Sequence, residues 1–240
     1  MKIKKIYSPN FEKKKRSYKL IKFLIIHYTG MQSERESLIR LCSSNSKVSS
    51  HFLINQSGKA YRLVEDNQIA WHAGKSHWGK YKNLNQNSIG IELVNKGHKF
   101  GYTNFKRQQL YSLIKICKNL IRKYKIKKQN ILAHSDIAPL RKMDPGEKFP
   151  WKELAHKKIG IWHSCNTNIL KKFRKIRIYS KFKLEFINHL KKIGYFFDNK
   201  KKANFVKIVK AFQRHYRKEL INGIIDKECL IIAKNISKKI

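Results

Sequence analysis

The chain has 240 residues, of which 55 are Lys or Arg and 15 are Asp or Glu, so its formal net charge is +40. A hydrophobic fraction of 41% with 12% aromatic residues is typical of a globular protein and excludes wholesale disorder. The charge would suit a polyanionic partner, although lysines scattered through every segment favour biased composition and solvated faces.

The N-terminal half predicts strands that alternate with a short helix. Residues 20–30, LIKFLIIHYTG, have the apolar run of a buried strand that opens into a turn. SERESLIRLC follows as a short helix, for which Ser33 is a suitable N-cap. In residues 49–64 two β-rich runs flank NQSG, a pattern typical of a hairpin. Residues 88–95, SIGIELVN, predict another strand, too apolar for an exposed edge.

The clearest helix lies in TNFKRQQLYSLIKICKNLIRKYK, with Thr103 or Asn104 able to cap its start. A strand, NILAH, returns after it. This mixture predicts an α/β fold in which a central mixed β-sheet is flanked by helices. The apolar face of the helix repeats at i, i+3 and i+4 and consists of Leu110, Leu113, Ile114, Cys117, Leu120, Ile121 and Tyr124.

Beyond Trp162 the sequence becomes polar and basic, and we divide the chain there. Residues 1–165 form the first predicted domain, residues 166–178 a basic linker, and residues 179–240 a small three-helix domain. The helical patterns of the last region are KLEFINHLKKIG, ANFVKIVKAFQRHY and DKECLIIAKNI, and the first ends at a glycine suited to a helix C-cap.

Cysteine usage and the N-terminus bear on the compartment. The four cysteines are far apart and form no CxxC pair, which favours a reducing compartment over a disulfide framework. The first residues lack the apolar region of a signal peptide, and no apolar run is long enough to span a bilayer. We therefore expect a cytoplasmic location, with a periplasmic or wall-associated location as the alternative. We also expect a monomer.

Three side chains stand where a metal ion could be held. His27 and His134 each end an apolar run, and Asp144 lies in a bend before Pro-Gly. A catalytic zinc takes three such protein ligands and keeps one position open. Taken singly, a histidine at a strand end is more often a core or surface residue. Spacing alone therefore leaves both interpretations open.

Four segments together resemble the successive signatures of the N-acetylmuramoyl-L-alanine amidase 2 family. The resemblance covers roughly residues 6–163, and the tail resembles a peptidoglycan-binding three-helix domain through INHLKKIGYFFD, IVKAFQRHYR and INGIIDKECL. The four segments are HYTGM (27–31), SSHFLINQSGKAYRLVEDNQIAWHAGKSHWG (49–79), NSIGIELVN (87–95) and AHSDIAPLRKMDPGEKFPW (133–151).

The resemblance implies a zinc-dependent enzyme that hydrolyses the amide between N-acetylmuramic acid, or its anhydro form, and L-alanine. Its partner would be peptidoglycan or a muropeptide, in cell-wall turnover or murein recycling. The resemblance further implies that His27, His134 and Asp144 bind one Zn²⁺. In the same way Glu92 would be the catalytic glutamate and Lys142 the catalytic lysine, which suit a proton acceptor and a cation facing the oxyanion.

Other expectations from the resemblance concern the groove around the metal. Tyr28, Trp71, His72 and Asn95 match positions that line it in the family, so they are candidate substrate contacts. Arg141 could take the role of Lys142 if the loop register differs. A non-catalytic peptidoglycan-binding protein of the same fold is the alternative function, and no nucleic-acid-binding motif is visible, so no specific nucleic-acid partner is expected.

Overall fold

The computed structural model describes residues 2–197 and 202–240, which contain ten strands and eight α-helices. The strands are β1 (Ile3–Lys5), β2 (Phe11–Glu12), β3 (Phe23–Tyr28), β4 (Phe52–Ile54), β5 (Ala60–Arg62), β6 (Ile69–Ala70), β7 (His77–Trp78), β8 (Tyr81–Lys82), β9 (Ser88–Leu93) and β10 (Ile131–Ala133). The helices are α1 (Glu34–Cys42), α2 (Arg107–Tyr124), α3 (His134–Ile137), α4 (Trp151–His156), α5 (Thr167–Lys172), α6 (Ser180–Ile193), α7 (Lys202–Tyr216) and α8 (Lys227–Ser237).

Six strands form one mixed sheet in the order β1-β5-β4-β9-β3-β10. Neighbouring strands are parallel except for β4 and β5, which are antiparallel as the hairpin pattern predicted. Ser33 accepts a hydrogen bond from the backbone N–H of Glu36 at 3.1 Å, so the predicted cap of α1 is also present. The predicted mixed sheet flanked by helices is confirmed.

Side chains of β3 alternate between two buried layers, as the period of a strand requires. Leu24 and Ile26 belong to the apolar cluster that α2 completes on one face. Phe23 and Ile25 belong to the cluster on the other face, which the C-terminal helices complete. His27 follows Phe23 and Ile25 at the two-residue period of the strand, so its imidazole lies on their face of the sheet, away from α2.

The three predicted tail helices are present as α6, α7 and α8, and α6 ends at Gly194 as expected. Phe186 and Phe212 of these helices share one buried cluster with Phe23 of the sheet. Residues 166–178 include α5, and the division of the chain into domains stays a prediction. Residue 198, the last of the first tail motif, lies outside the described residues. Within the described residues, none of the helices combines the length and the hydropathy that a membrane span requires.

A buried carboxylate connects the tail to the segment that follows β10. Asp136 accepts hydrogen bonds from the Tyr195 hydroxyl at 2.6 Å and from His215 Nδ1 at 2.7 Å. It also accepts the backbone N–H of Ala133 at 2.8 Å. The side chains of Asp136 and His215 are almost completely buried, so the tail supplies two of the three donors that compensate this charge.

Two local predictions are wrong. Helix α2 begins at Arg107 without a side-chain cap, because the backbone of Thr103 is held in a loop by hydrogen bonds with the side-chain amide of Asn95. His134 begins α3 instead of ending a strand. Its carbonyl already accepts the N–H of Ala138 at 2.9 Å, so the chain turns immediately after β10.

Asp66 is a buried carboxylate beside the C-terminal end of α2. It accepts hydrogen bonds from Arg62 at 2.6 Å, Lys123 at 3.0 Å and the Tyr124 hydroxyl at 2.5 Å. Burial by itself would raise the pKa of Asp66, but these donors overcome that effect and hold it at about 2, below its ordinary value of 3.8. Folding therefore stabilises the ionised form of Asp66 relative to its protonated form.

Replacing Asp66 with Asn is expected to lower the free energy of unfolding by about 2 kcal/mol at neutral pH. Because the folded pKa is depressed, this contribution is complete above pH 3.8 and is lost as the pH falls to about 2. Urea unfolding at pH 7 and near pH 3 measures it, with Glu65→Gln, a neighbouring carboxylate that is only partly buried, as the control. An equal loss at both pH values would contradict the assignment.

Candidate metal centre and catalytic cleft

Three ligand atoms converge where β3 and β10 end. His27 Nδ1 lies 2.9 Å from His134 Nδ1, and each nitrogen lies 3.0 Å from Asp144 Oδ2. Atoms at these separations can all lie about 2.0–2.2 Å from one common point, as zinc ligands do. All three residues are buried. Within residues 2–197 and 202–240, these three are the one set of His, Cys, Asp or Glu side chains whose ligand atoms lie close enough together to hold a metal ion.

Electrostatics at this group favour a bound cation. Burial, followed by the neighbouring His134, lowers the pKa of His27 to about 4, so its imidazole is neutral at physiological pH. Burial would raise the pKa of Asp144, but His134 and His27 hold it well below its usual range. A neutral imidazole and an ionised carboxylate are the forms that bind metals.

A hydrogen bond from Nε2 of His134 leaves Nδ1 of that ring available to a metal ion. His134 Nε2 lies 3.2 Å from the Ala73 carbonyl, which can only accept a hydrogen bond. Donation there leaves the lone pair of Nδ1 directed towards His27 and Asp144. Metal-binding histidines commonly have such a partner on the other nitrogen.

Glu92 enters the same cleft from the neighbouring strand. The parallel register of β3 and β9 pairs His27 with Glu92, which places both side chains on one face of the sheet. Its Oε2 atom is buried without a hydrogen-bond partner among the described residues. Burial and then the Asp144 carboxylate raise the pKa of Glu92 to about 8, although Lys142 opposes this. Such a carboxylate suits proton transfer near neutral pH.

The two adjacent cations after α3 have different surroundings. The Arg141 guanidinium donates to the carbonyls of Ala73 and Lys75, the latter at 2.9 Å. Lys142 lines the cleft beside Glu92 and forms no ion pair with any residue that the structure describes. The arrangement therefore favours Lys142 over Arg141 as the cation available to a substrate.

The four candidate substrate contacts do not all reach the cleft, which has a volume of about 340 Å³. Tyr28 and His72 line it. Asn95 uses its side chain to bind the backbone of Gly97 at 3.1 Å and of Thr103 at 2.9 Å, so it shapes a loop. Trp71 is half-buried outside the cleft lining. Substrate contact by these residues stays a prediction.

Tyr102, which the sequence did not single out, holds the loop that carries Asp144. Its hydroxyl donates to the Pro145 carbonyl at 2.6 Å and accepts the N–H of Lys148 at 3.0 Å. Gly146, between these partners, has a φ of +85° and its Cα faces the Tyr102 hydroxyl. The Pro-Gly pair signals this bend in the sequence, but the distant tyrosine that packs on it has no local signature.

Comparison with known proteins finds that the chain is similar to N-acetylmuramoyl-L-alanine amidases. A family model described as N-acetylmuramoyl-L-alanine amidase matches residues 17–147. The chain is 36% identical to the N-acetylmuramoyl-L-alanine amidase AmiD of Escherichia coli, over 93% of this chain and 84% of that protein. It is 31% identical to the 1,6-anhydro-N-acetylmuramyl-L-alanine amidase AmpD of Haemophilus influenzae, over 62% of this chain and 88% of that protein.

Solved structures show the same relationship over almost the whole chain. A complex of E. coli AmiD with anhydro-N-acetylmuramic acid-L-Ala-D-γ-Glu-L-Lys superposes with a TM-score of 0.82 and 33% identity, covering 95% of this chain and 93% of that one. AmpDh3 from Pseudomonas aeruginosa in complex with anhydromuramic pentapeptide superposes with a TM-score of 0.81 and 30% identity, covering 98% of both chains.

Replacing Gly146 with Ala is expected to destabilise the protein more than replacing Gly101, which serves as the matched control. Both glycines have positive φ, but a Cβ at Gly146 would lie 2.5 Å from the Tyr102 hydroxyl, whereas one at Gly101 meets no atom within 4 Å. The difference should be on the order of 1–3 kcal/mol, the usual effect of overpacking. Urea unfolding of both variants measures it, and equal losses would contradict the role of Tyr102.

Proposed function

The chain belongs to the N-acetylmuramoyl-L-alanine amidase family, and we propose that it hydrolyses the amide between N-acetylmuramic acid, or its anhydro form, and L-alanine of the stem peptide. The observation that carries this proposal is the convergence of His27, His134 and Asp144 beside Glu92, whose buried Oε2 has no hydrogen-bond partner in the described part of the chain. The relatives AmiD and AmpD bear the names of such amidases. Their activity implies a role in cell-wall turnover or murein recycling.

The proposed resident metal is one zinc ion. His27 Nδ1, His134 Nδ1 and Asp144 Oδ2 would hold it, since their chemistry and mutual distances of 2.9–3.0 Å fit zinc. When bound, zinc supplies a Lewis acid that polarises the scissile carbonyl and lowers the pKa of water towards neutrality.

Glu92 is the proposed proton carrier of the reaction. Its carboxylate accepts a proton from the attacking water as the oxygen bonds to the carbonyl carbon. When the C–N bond breaks, Glu92 returns that proton to the nitrogen of L-alanine. The products are the free carboxylate of the muramic acid and the free amine of the stem peptide. Burial raises the pKa of Glu92, which helps the carboxyl to hold that proton between these two steps.

Lys142 has the proposed role of facing the negative charge that develops on the amide oxygen. A fixed cation in a site from which water is largely excluded can contribute several kcal/mol to the transition state. Tyr28 lines the cleft, and its hydroxyl lies 2.8 Å from His98 Nδ1. A contact between Tyr28 and the sugar or peptide is part of the proposal.

A binding-only protein is the weaker alternative, because the three candidate ligands converge and two of them, His134 and Asp144, line one cleft together with Glu92. We propose that the tail helices contribute to peptidoglycan binding. The cytoplasmic location and the monomeric state stay predictions; all four cysteines are free in the structure, which suits a reducing compartment.

Zinc is expected to stabilise the wild-type protein and not the Asp144→Asn variant. At one hundred times the dissociation constant, binding to the folded state contributes about 2.7 kcal/mol, which corresponds to a rise in Tm of roughly 5–10 °C for a chain of this size. Thermal unfolding with Zn²⁺ or with a chelator measures this rise. Glu147→Gln, a nearby half-buried carboxylate outside the ligand group, is the control and should keep the full rise.

The hydrolysis itself is tested with a soluble anhydromuropeptide and with intact sacculi in parallel. Zinc-loaded wild-type protein should release free stem peptide, detected by mass spectrometry. Glu92→Gln should lower the turnover number about 10²–10⁴-fold while zinc affinity is retained, because only proton transfer is removed. If zinc-loaded wild type releases no stem peptide from either substrate, the proposed function is wrong.

A further inference from the structure

Behind His27 lies a row of polar groups that the proposed reaction does not use. His27 Nε2 is 3.0 Å from His72 Nδ1, and His72 Nε2 is 3.1 Å from Ser88 Oγ. Ser88 Oγ in turn is 2.5 Å from the carbonyl oxygen of Leu84. The row therefore runs from a backbone carbonyl, through a hydroxyl and an imidazole, to the outer nitrogen of a metal-binding residue.

The direction of each hydrogen bond in this row follows from its far end. A carbonyl oxygen can only accept, so the Ser88 hydroxyl donates its single proton to Leu84. Ser88 Oγ must then accept from His72, which places the proton of that imidazole on Nε2. The neutral His72 ring therefore presents the lone pair of Nδ1 to His27.

The same logic fixes the proton of His27. Because His72 Nδ1 is an acceptor, His27 Nε2 carries the hydrogen and donates it. Asp144 Oδ2, 3.0 Å from Nδ1, competes for this hydrogen while no cation is bound, so the row behind His27 decides the tautomer. The neutral His27 ring is left with a lone pair on Nδ1, the atom that faces His134 and Asp144. The opposite tautomer would direct a hydrogen into the metal group and leave two lone pairs facing each other behind it.

The surroundings keep His72 in this position. His72, Ser88 and His27 are at most 5% exposed, and no described carboxylate hydrogen-bonds to the His72 ring. The ring lies over Gly90 of β9, where any Cβ would overlap it. Ser88, Gly90 and Glu92 follow one another at the two-residue period of the strand, so one strand face provides the hydroxyl, the space for the ring and the catalytic carboxylate.

We propose that His72 and Ser88 are positioning residues, which hold His27 in the tautomer whose Nδ1 lone pair binds the metal. The proposal rests on the zinc site proposed above and adds the residues that prepare it. It also changes the expected role of His72. Since both of its ring nitrogens are engaged behind His27, His72 does not offer a hydrogen bond to the substrate.

The first test reads the tautomer directly in metal-free wild-type protein. Imidazole ¹⁵N chemical shifts distinguish a protonated nitrogen from one with a lone pair. We expect His27 and His72 both to carry their proton on Nε2. A proton on Nδ1 of either ring would overturn the proposal, whatever the protein does with a substrate.

The second test compares zinc affinity by competition with a chelator. Ser88→Ala removes the acceptor that orients His72 and should weaken zinc binding about 10–100-fold, the usual effect of changing such an outer partner. Ser88→Thr keeps the hydroxyl and should restore most of the affinity. Ser112→Ala is the matched control, because Ser112 is also a buried serine that donates to a carbonyl, that of Gly58 at 2.6 Å, but contacts no imidazole.

The outcomes separate this proposal from the proposed function. Wild-type affinity in Ser88→Ala would overturn the positioning role and leave the zinc amidase intact. An equal loss in Ser112→Ala would show a general effect of stability and would also overturn it. Absence of zinc binding by the wild type would instead contradict the proposed function. If Ser88→Ala does not fold, the tautomer measurement on the wild type still decides.

Discussion

The parallel register between β3 and β9 sets His27 opposite Glu92, and the remaining features of the site are arranged around that pair. Alternation along a strand is strict, so a shift of one residue would turn Glu92 into the apolar layer and bring Ile91 or Leu93 to the cleft. Six residue pairs and the apolar neighbours on the α2 side hold the register. The packing of the sheet thus sets the relative position of a candidate metal ligand and the proposed proton acceptor.

The two faces of the sheet differ: one is covered by an apolar core, and the other carries the candidate site. On the α2 side Leu24, Ile26 and their neighbours form an ordinary apolar core. On the other side the apolar cluster of the tail helices stops short of the strand ends, where imidazoles and carboxylates take over. These polar groups have lost water. His134 compensates the loss through Ala73, His27 through His72, and Asp136 through the tail, whereas Glu92 Oε2 has no hydrogen-bond partner among the described residues.

Much of this arrangement could be predicted from the sequence, because ordered motifs locate His27, His134, Asp144 and Glu92 at the ends of recognisable elements. Contacts between distant segments could not. Nothing near Tyr102 predicts that it holds the bend after Asp144, and the apolar look of SIGIELVN hid the small and polar row that begins at Ser88. Local patterns specify an element and its faces, whereas the partner of each face depends on how the whole chain packs.

The contact of the tail with Asp136 limits how this protein can be recombined. The hydroxyl of Tyr195 and the imidazole of His215 donate hydrogen bonds to the carboxylate of Asp136, whose charge lies two positions from the candidate metal ligand His134. A chimera that joins residues 1–165 to a foreign C-terminal segment would leave that charge enclosed with a single donor, the N–H of Ala133. The tail therefore cannot be exchanged independently of the rest of the chain: a replacement segment would have to supply equivalent hydrogen-bond donors, or Asp136 would have to be substituted.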